Sequence, residues 1–156
     1  MRIKNRMDSH QWDSSFDPQT VQLFLQLQWA QAQSLQTMRP MLEKFALSAV
    51  EFDVLATLRN APAPHQMTPS MIQDAVVISS GGLTKVLLQL ETRALVTRRQ
   101  LADDLRIKPV CLTAAGAALV EQAMAETVAD TGHWLRQRLD AAEIGQLTAL
   151  LAKLAQ

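Results

Sequence analysis

Apolar residues recur every three to four positions along most of the chain, and capping or turn residues stand between those stretches. Residues 1–16 are the exception: they are polar, charged and aperiodic, and read as a mobile arm. Asp17-Pro18 then pairs an N-cap carboxylate with a proline at the first helical position, where its missing N–H costs nothing. A helix follows with Val21, Phe24, Leu25, Gln28 and Leu35 near one side. Pro40 is expected to end or kink it, because the ring clashes with the preceding turn. Ser48-Ala49-Val50-Glu51 is a capping box, in which the Ser side chain takes one free N–H and the Glu reaches back to the cap. It opens a helix with Val50, Val54, Leu55 and Leu58 at helical spacing, which Ala61-Pro62-Ala63-Pro64 closes. Thr68-Pro69 repeats the cap-plus-proline signal for a short helix to about Ala75, with Met71, Ile72 and Ala75 expected inward. Val76-Val77-Ile78 forms an apolar joint. Ser79-Ser80 then caps a helix whose stripe is Leu83, Val86, Leu87 and Leu90.

The period changes after that helix. Residues 95–99 are bounded like a short strand, residues 100–106 are polar as in a turn, and residues 107–112 read as a returning strand. Pro109 cannot donate to a ladder, so an edge position is expected for it. Thr113 caps a long helix to about Leu139, roughly 40 Å at 1.5 Å per residue. Gly132 within it costs about 1 kcal/mol relative to Ala, and the sequence gives no reason for it. Asp140-Ala141-Ala142-Glu143 is a second capping box, and Ile144, Leu147, Leu151 and Leu154 form the last stripe. The expected fold is therefore mainly α with a small β-hairpin wing. It divides into an arm (1–16), an N-terminal helical region (17–46), a helix-turn-helix with wing (47–112) and C-terminal helices (113–156).

Composition narrows the class. A chain of 156 residues, 48% apolar and 19% charged, fits one globular domain. The single cysteine, Cys111, excludes an internal disulfide framework and a multi-cysteine metal site, and fits a reducing cytoplasm. Arg2, Lys4 and Arg6 precede no apolar run, so no secretory signal is read. No stretch reaches the roughly 18 apolar residues of a membrane span, so no membrane partner is expected. Net charge is zero, but its distribution is uneven. Lys85, Arg93, Arg98, Arg99, Arg106 and Lys108 outweigh Glu91, Asp103 and Asp104 between residues 85 and 108, whereas residues 8–84 are net acidic.

A helix that enters the major groove needs an apolar inner face to hold it and small, hydrogen-bonding residues at its outer N-terminal end. The helix opened by Ser79 and Ser80 has both: Gly81 and Gly82 admit close backbone approach, and Thr84, Lys85 and Gln89 reach outward with Leu88. Its N-terminal N–H groups and dipole suit a phosphate. The hairpin adds Arg98, Arg99, Arg106 and Lys108, and an arginine at a wing suits the negative potential of a narrow minor groove. These residues are the candidate contacts with double-stranded DNA. Catalysis is not read: there is no Gly-rich phosphate loop, no Gly-x-Ser-x-Gly elbow and no paired metal ligands, and no cofactor is expected. His10, His65 and His133 are far apart in sequence, and His65 in its proline-rich loop is expected to be solvated.

Leu47-Ser48-Ala49-Val50-Glu51-Phe52-Asp53-Val54-Leu55, Ser79-Ser80-Gly81-Gly82-Leu83-Thr84-Lys85 and Leu90-Glu91-Thr92-Arg93-Ala94-Leu95-Val96 resemble the MarR (multiple antibiotic resistance regulator) family. So do Asp104-Leu105-Arg106 and the closing Val110-Cys111-Leu112-Thr113-Ala114-Ala115-Gly116. The resemblance implies a transcription regulator, read as a repressor. It would act as a homodimer whose terminal helices interlock and whose recognition helices lie about 34 Å apart on a palindromic site. It also implies a small aromatic effector that shifts the dimer toward a conformer with the wrong spacing. Trp29, Met38 and Phe52 are the candidate ligand-lining residues, and plain core packing accounts for the same three. Two positions depart from the family pattern. Ala94 stands where glycine is usual, which would strain a positive φ, and Leu105 replaces a basic wing residue. Two other readings stay open: a redox sensor using Cys111, for which a small inert strand residue is the plainer account, and a winged helix that binds protein instead of DNA.

Overall fold

The computed structural model describes residues 15–76, 78–98 and 108–155. In chain order the elements are α1 (Pro18–Phe45), α2 (Ala49–Asn60), β1 (Gln66–Met67), α3 (Pro69–Ala75), α4 (Ser80–Thr92), β2 (Val96–Arg98), β3 (Val110–Leu112), α5 (Ala114–Arg136) and α6 (Ala141–Leu154). The chain forms two compact units, Met1–Thr37 and Met38–Gln156.

In the first unit, Asp17 caps α1 by accepting from the Thr20 N–H at 2.9 Å and from the Thr20 hydroxyl. That hydroxyl first, and the N–H second, hold the Asp17 carboxyl below its ordinary range. Leu23, Leu27 and Leu35 are exposed along this part of α1, while Trp29 is half-buried.

The second unit is built on α2. Ser48 accepts from the Glu51 N–H at 3.2 Å, and the Glu51 carboxylate accepts from the Ser48 N–H at 2.7 Å, closing the predicted capping box. Val54, Leu55 and Leu58 are then wholly buried, and α2 packs against α3, α4, α5 and β3. Ile72, Leu87, Leu90, Val96, Val110, Val120 and Ala123 complete the same core. Each of these Val, Leu and Ile side chains contributes about 1.5–3 kcal/mol by leaving water. Arg59 pairs with Glu121 at 2.6 Å and Lys44 pairs with Glu126, so α5 is also held at its surface.

The burial of α5 stops early. Gly116, Val120 and Ala123 are its buried residues, and α6 buries none. Val128 is exposed, as are Leu147, Leu150, Leu151 and Leu154 of α6, whose predicted capping box is present at Asp140 and Glu143.

Several expectations need correction. Pro40 does not end α1, which continues to Phe45. Within α3 only Ile72 is buried: Met71 and Ala75 face out, because a helix of seven residues has one narrow inner stripe. The wing is more than a hairpin, since the described sheet has three antiparallel strands in the order β1-β3-β2. Gln66 pairs with Cys111 and Met67 with Val110, which makes β3 the central strand. Pro109 is therefore not on an edge strand; it is buried immediately before β3, outside the ladder that its missing N–H would break. For Gly132 there is no backbone constraint, as an added Cβ would meet only the end of the Arg136 side chain at 2.9 Å.

Candidate nucleic-acid interface

Four leucine and valine side chains fix α4. Leu83, Val86, Leu87 and Leu90 are buried, as the stripe predicts, and the opposite face stays in solvent. Ser79 is the N-cap, with its hydroxyl accepting from the Gly82 N–H at 3.2 Å. Ser80, Gly81, Thr84, Lys85 and Gln89 are exposed. The Thr84 hydroxyl donates to the Ser80 carbonyl at 3.0 Å, which holds its methyl and oxygen in a defined orientation on the helix surface. Leu88 lies on the outward side and is 60% exposed.

The two glycines do different work. A Cβ at Gly81 would meet nothing within 4 Å, so its surface is open to a ligand backbone. One at Gly82 would stand 3.0 Å from Ser79 Oγ and 3.1 Å from Ile78 Cγ1. Gly82 is thus half-buried against the turn and keeps the cap tight instead of facing outward as expected.

At the end of β2, Arg98 turns toward α4, with its Nε 3.5 Å from Glu91 Oε2. That Nε is shielded from solvent and makes no hydrogen bond. Lys108 is exposed, and it lines a groove with Leu88, Glu91 and Arg98 beside the outer face of α4. Arg99 and Arg106 of the predicted wing, and Leu105, lie outside the described residues.

The turn from α4 into β2 keeps its shape without glycine. Ala94 adopts φ 55°, the left-handed conformation that its Cβ disfavours. Its N–H bonds the Glu91 carbonyl at 2.9 Å, and the Leu95 N–H bonds the Leu90 carbonyl at 3.0 Å, the paired bonds of a Schellman cap. Buried Leu90 and Leu95 supply the hydrophobic contact that accompanies such a cap. The Thr113 hydroxyl lies 2.8 Å from the Ala94 carbonyl and 3.0 Å from the Leu95 carbonyl, and accepts from the Gly116 N–H at 2.9 Å. The Leu-Thr-x-x-Gly pattern therefore ties the start of α5 to the end of α4.

The other candidates fall elsewhere. Phe52 is part of the core and Met38 packs against it, so packing accounts for both, while Trp29 belongs to the first unit. Cys111 is 5% exposed, with Sγ 3.5 Å from Gln66 Oε1. His65 is not simply solvated: it is half-buried, and its Nδ1 lies 2.7 Å from the Ala61 carbonyl. Among the described residues no group of three or more His, Cys, Asp or Glu could hold a metal, and no single helix is long and apolar enough to cross a membrane.

Comparison with known proteins agrees with this geometry. The MarR family model matches residues 47–108. The HTH-type transcriptional regulator PecS of Dickeya dadantii is 40% identical over 85 residues, covering 54% of this chain and 51% of PecS, so the match spans about half that relative. An uncharacterised HTH-type transcriptional regulator of Bacillus cereus is 30% identical over 121 residues, 78% of each chain. A crystal structure of a mutant Escherichia coli MarR complexed with operator DNA superposes with a TM-score of 0.78 at 25% identity, covering 90% of this chain and all of that one. The chain belongs to the MarR family of winged helix-turn-helix transcriptional regulators.

Proposed function

We propose that this protein is a repressor that binds a palindromic operator as a homodimer, placing one α4 in each of two successive major grooves. The observation that carries the reading is the division of α4 into a clamped apolar face and an exposed face bearing Ser80, Gly81, Thr84, Lys85 and Gln89. Ser79 and the free N–H groups of the first turn would position a phosphate. Thr84, Lys85 and Gln89 would meet base edges or backbone oxygens. Arg98 and Lys108, with Arg99 and Arg106 from the sequence between them, would follow the flanking backbone.

A second copy of this chain is the occupant we assign to the apolar surface of the terminal helices. Leu147, Leu150, Leu151 and Leu154 leave α6 with an apolar face and no buried residue. Leu23, Leu27 and Leu35 give α1 a similar surface. A patch of this kind marks an interface in a soluble protein. A small aromatic effector would lower DNA affinity by binding better to a dimer whose α4 helices are wrongly spaced. Of the three candidate lining residues, Trp29 and Met38 are half-buried, whereas Phe52 is core.

The test is anisotropy of a labelled duplex from upstream of the protein's own gene, titrated across a salt series. Competitor-resistant binding with log K falling linearly against log salt is the expected result. No binding at low salt, to this duplex or to random DNA, would leave the winged domain as a protein-binding module.

A further inference from the structure

A helix end leaves backbone carbonyls without partners, and α1 shows how this chain supplies them. Ala46, at φ 50°, closes α1 with the same Schellman cap as Ala94 closes α4: the Ala46 N–H bonds the Glu43 carbonyl at 3.2 Å, and the Leu47 N–H bonds the Leu42 carbonyl at 2.9 Å. The Phe45 and Ala46 carbonyls lie beyond those bonds. Both accept from Arg93, with Nη2 donating to Phe45 at 2.9 Å and Nη1 to Ala46 at 2.7 Å. Arg93 is itself the C-cap of α4. Two helix ends with alanine in the left-handed conformation are thus joined by one guanidinium.

We propose that Arg93 is a positioning residue that sets the angle of α4 against the last turn of α1, and so the presentation of the DNA-reading face. This rests on the DNA-binding reading. Arg93 stands eight residues beyond Lys85, roughly 12 Å along the helix at 1.5 Å per residue, and one turn beyond Gln89, at the end of α4 away from its N-terminal contacts. A planar guanidinium bonding two carbonyls fixes orientation as well as distance, which the point charge of a lysine does not. Its charge also faces the negative end of the α1 dipole. The adjoining Ala94 and Leu95 carbonyls are held by Thr113 at the start of α5. Residues 93–95 therefore receive the positions of α1 and α5 together, and α4 is the lever that leaves this joint.

The experiment compares the full chain with Arg93→Gln and Arg93→Lys by duplex anisotropy across a salt series, with thermal melting alongside. For Arg93→Gln the affinity of the folded dimer falls about tenfold while the slope of log K against log salt stays that of the wild type, and Arg93→Lys lies between. A slope smaller by about 0.9 would make Arg93 a phosphate contact and overturn the proposal. A lower melting temperature with unchanged affinity of the folded protein would overturn it as well. If the wild-type chain binds no duplex, the DNA reading fails, and the joint is then read by amide exchange. Arg93→Gln should speed exchange of the Leu47 and Leu95 N–H groups several-fold over Val120, and equal rates in variant and wild type would show that no such joint exists.

Discussion

Gly116 lies against the carbonyl oxygen of Leu95 so closely that a Cβ on it would stand 2.1 Å from that oxygen and 2.9 Å from Leu112 Cδ1. Backbone cannot rotate aside as a side chain can, so Gly116→Ala must push α5 away from the α4–β2 turn. Overpacking of this kind costs about 1–3 kcal/mol or more. The expected result is a melting temperature lower by about 5–10 °C, measured by circular dichroism. An unchanged melting temperature would mean that α5 does not approach Leu95 this closely.

Ala94 and Ala46 make the opposite prediction. Each sits at a positive φ that costs an L-residue roughly 1–2 kcal/mol, and glycine removes that cost while adding some freedom to the unfolded chain. Ala94→Gly and Ala46→Gly should each stabilise the protein by about 0.5–1 kcal/mol, read from urea midpoints at constant slope. Loss of stability in either variant would contradict the left-handed turn.

Lys85 is exposed on α4 and lies outside the buried core. Lys85→Ala should leave stability within about 0.5 kcal/mol of wild type. It should weaken duplex binding and, if the contact is to phosphate, reduce the salt slope by about 0.9. Loss of helical signal in this variant would make Lys85 structural and remove it from the interface.

On α6, Leu151 is 42% exposed in the single chain and lies on one stripe with Leu147 and Leu154. Leu151→Glu should raise the dimer dissociation constant at least about tenfold, since a charge would have to leave water at the interface. Sedimentation equilibrium reads this directly. A dimer of wild-type strength would place the subunit contact elsewhere.

The parts of the fold legible in the sequence are those decided within a few residues. Asp17, Ser48, Thr68, Ser79, Thr113 and Asp140 are N-caps where their side chains predict them, because each bond spans only three positions. The α4 stripe was legible for the same reason. β1 was not: Gln66 and Met67 are too few to show alternation, and their pairing with Cys111 and Val110 reaches across more than forty positions of sequence. Arg93 adds to the local positive charge and stands within a segment that carries the family resemblance, but neither gives it a role of its own. Its partners are carbonyls of residues 45 and 46, and a carbonyl has no sequence signature. Ala46 and Ala94 also stand where glycine would announce the two turns, so neither cap carries its usual sequence mark.

The central claim is that two α4 helices read one operator, and hydroxyl-radical and methylation footprinting of the wild-type protein on its upstream duplex tests it most directly. Two protected major-groove segments are expected, with centres about 10 base pairs apart on one face of the duplex, both needing a higher protein concentration in Lys85→Ala. A uniform footprint without that spacing, or protection that survives Lys85→Ala unchanged, would contradict it.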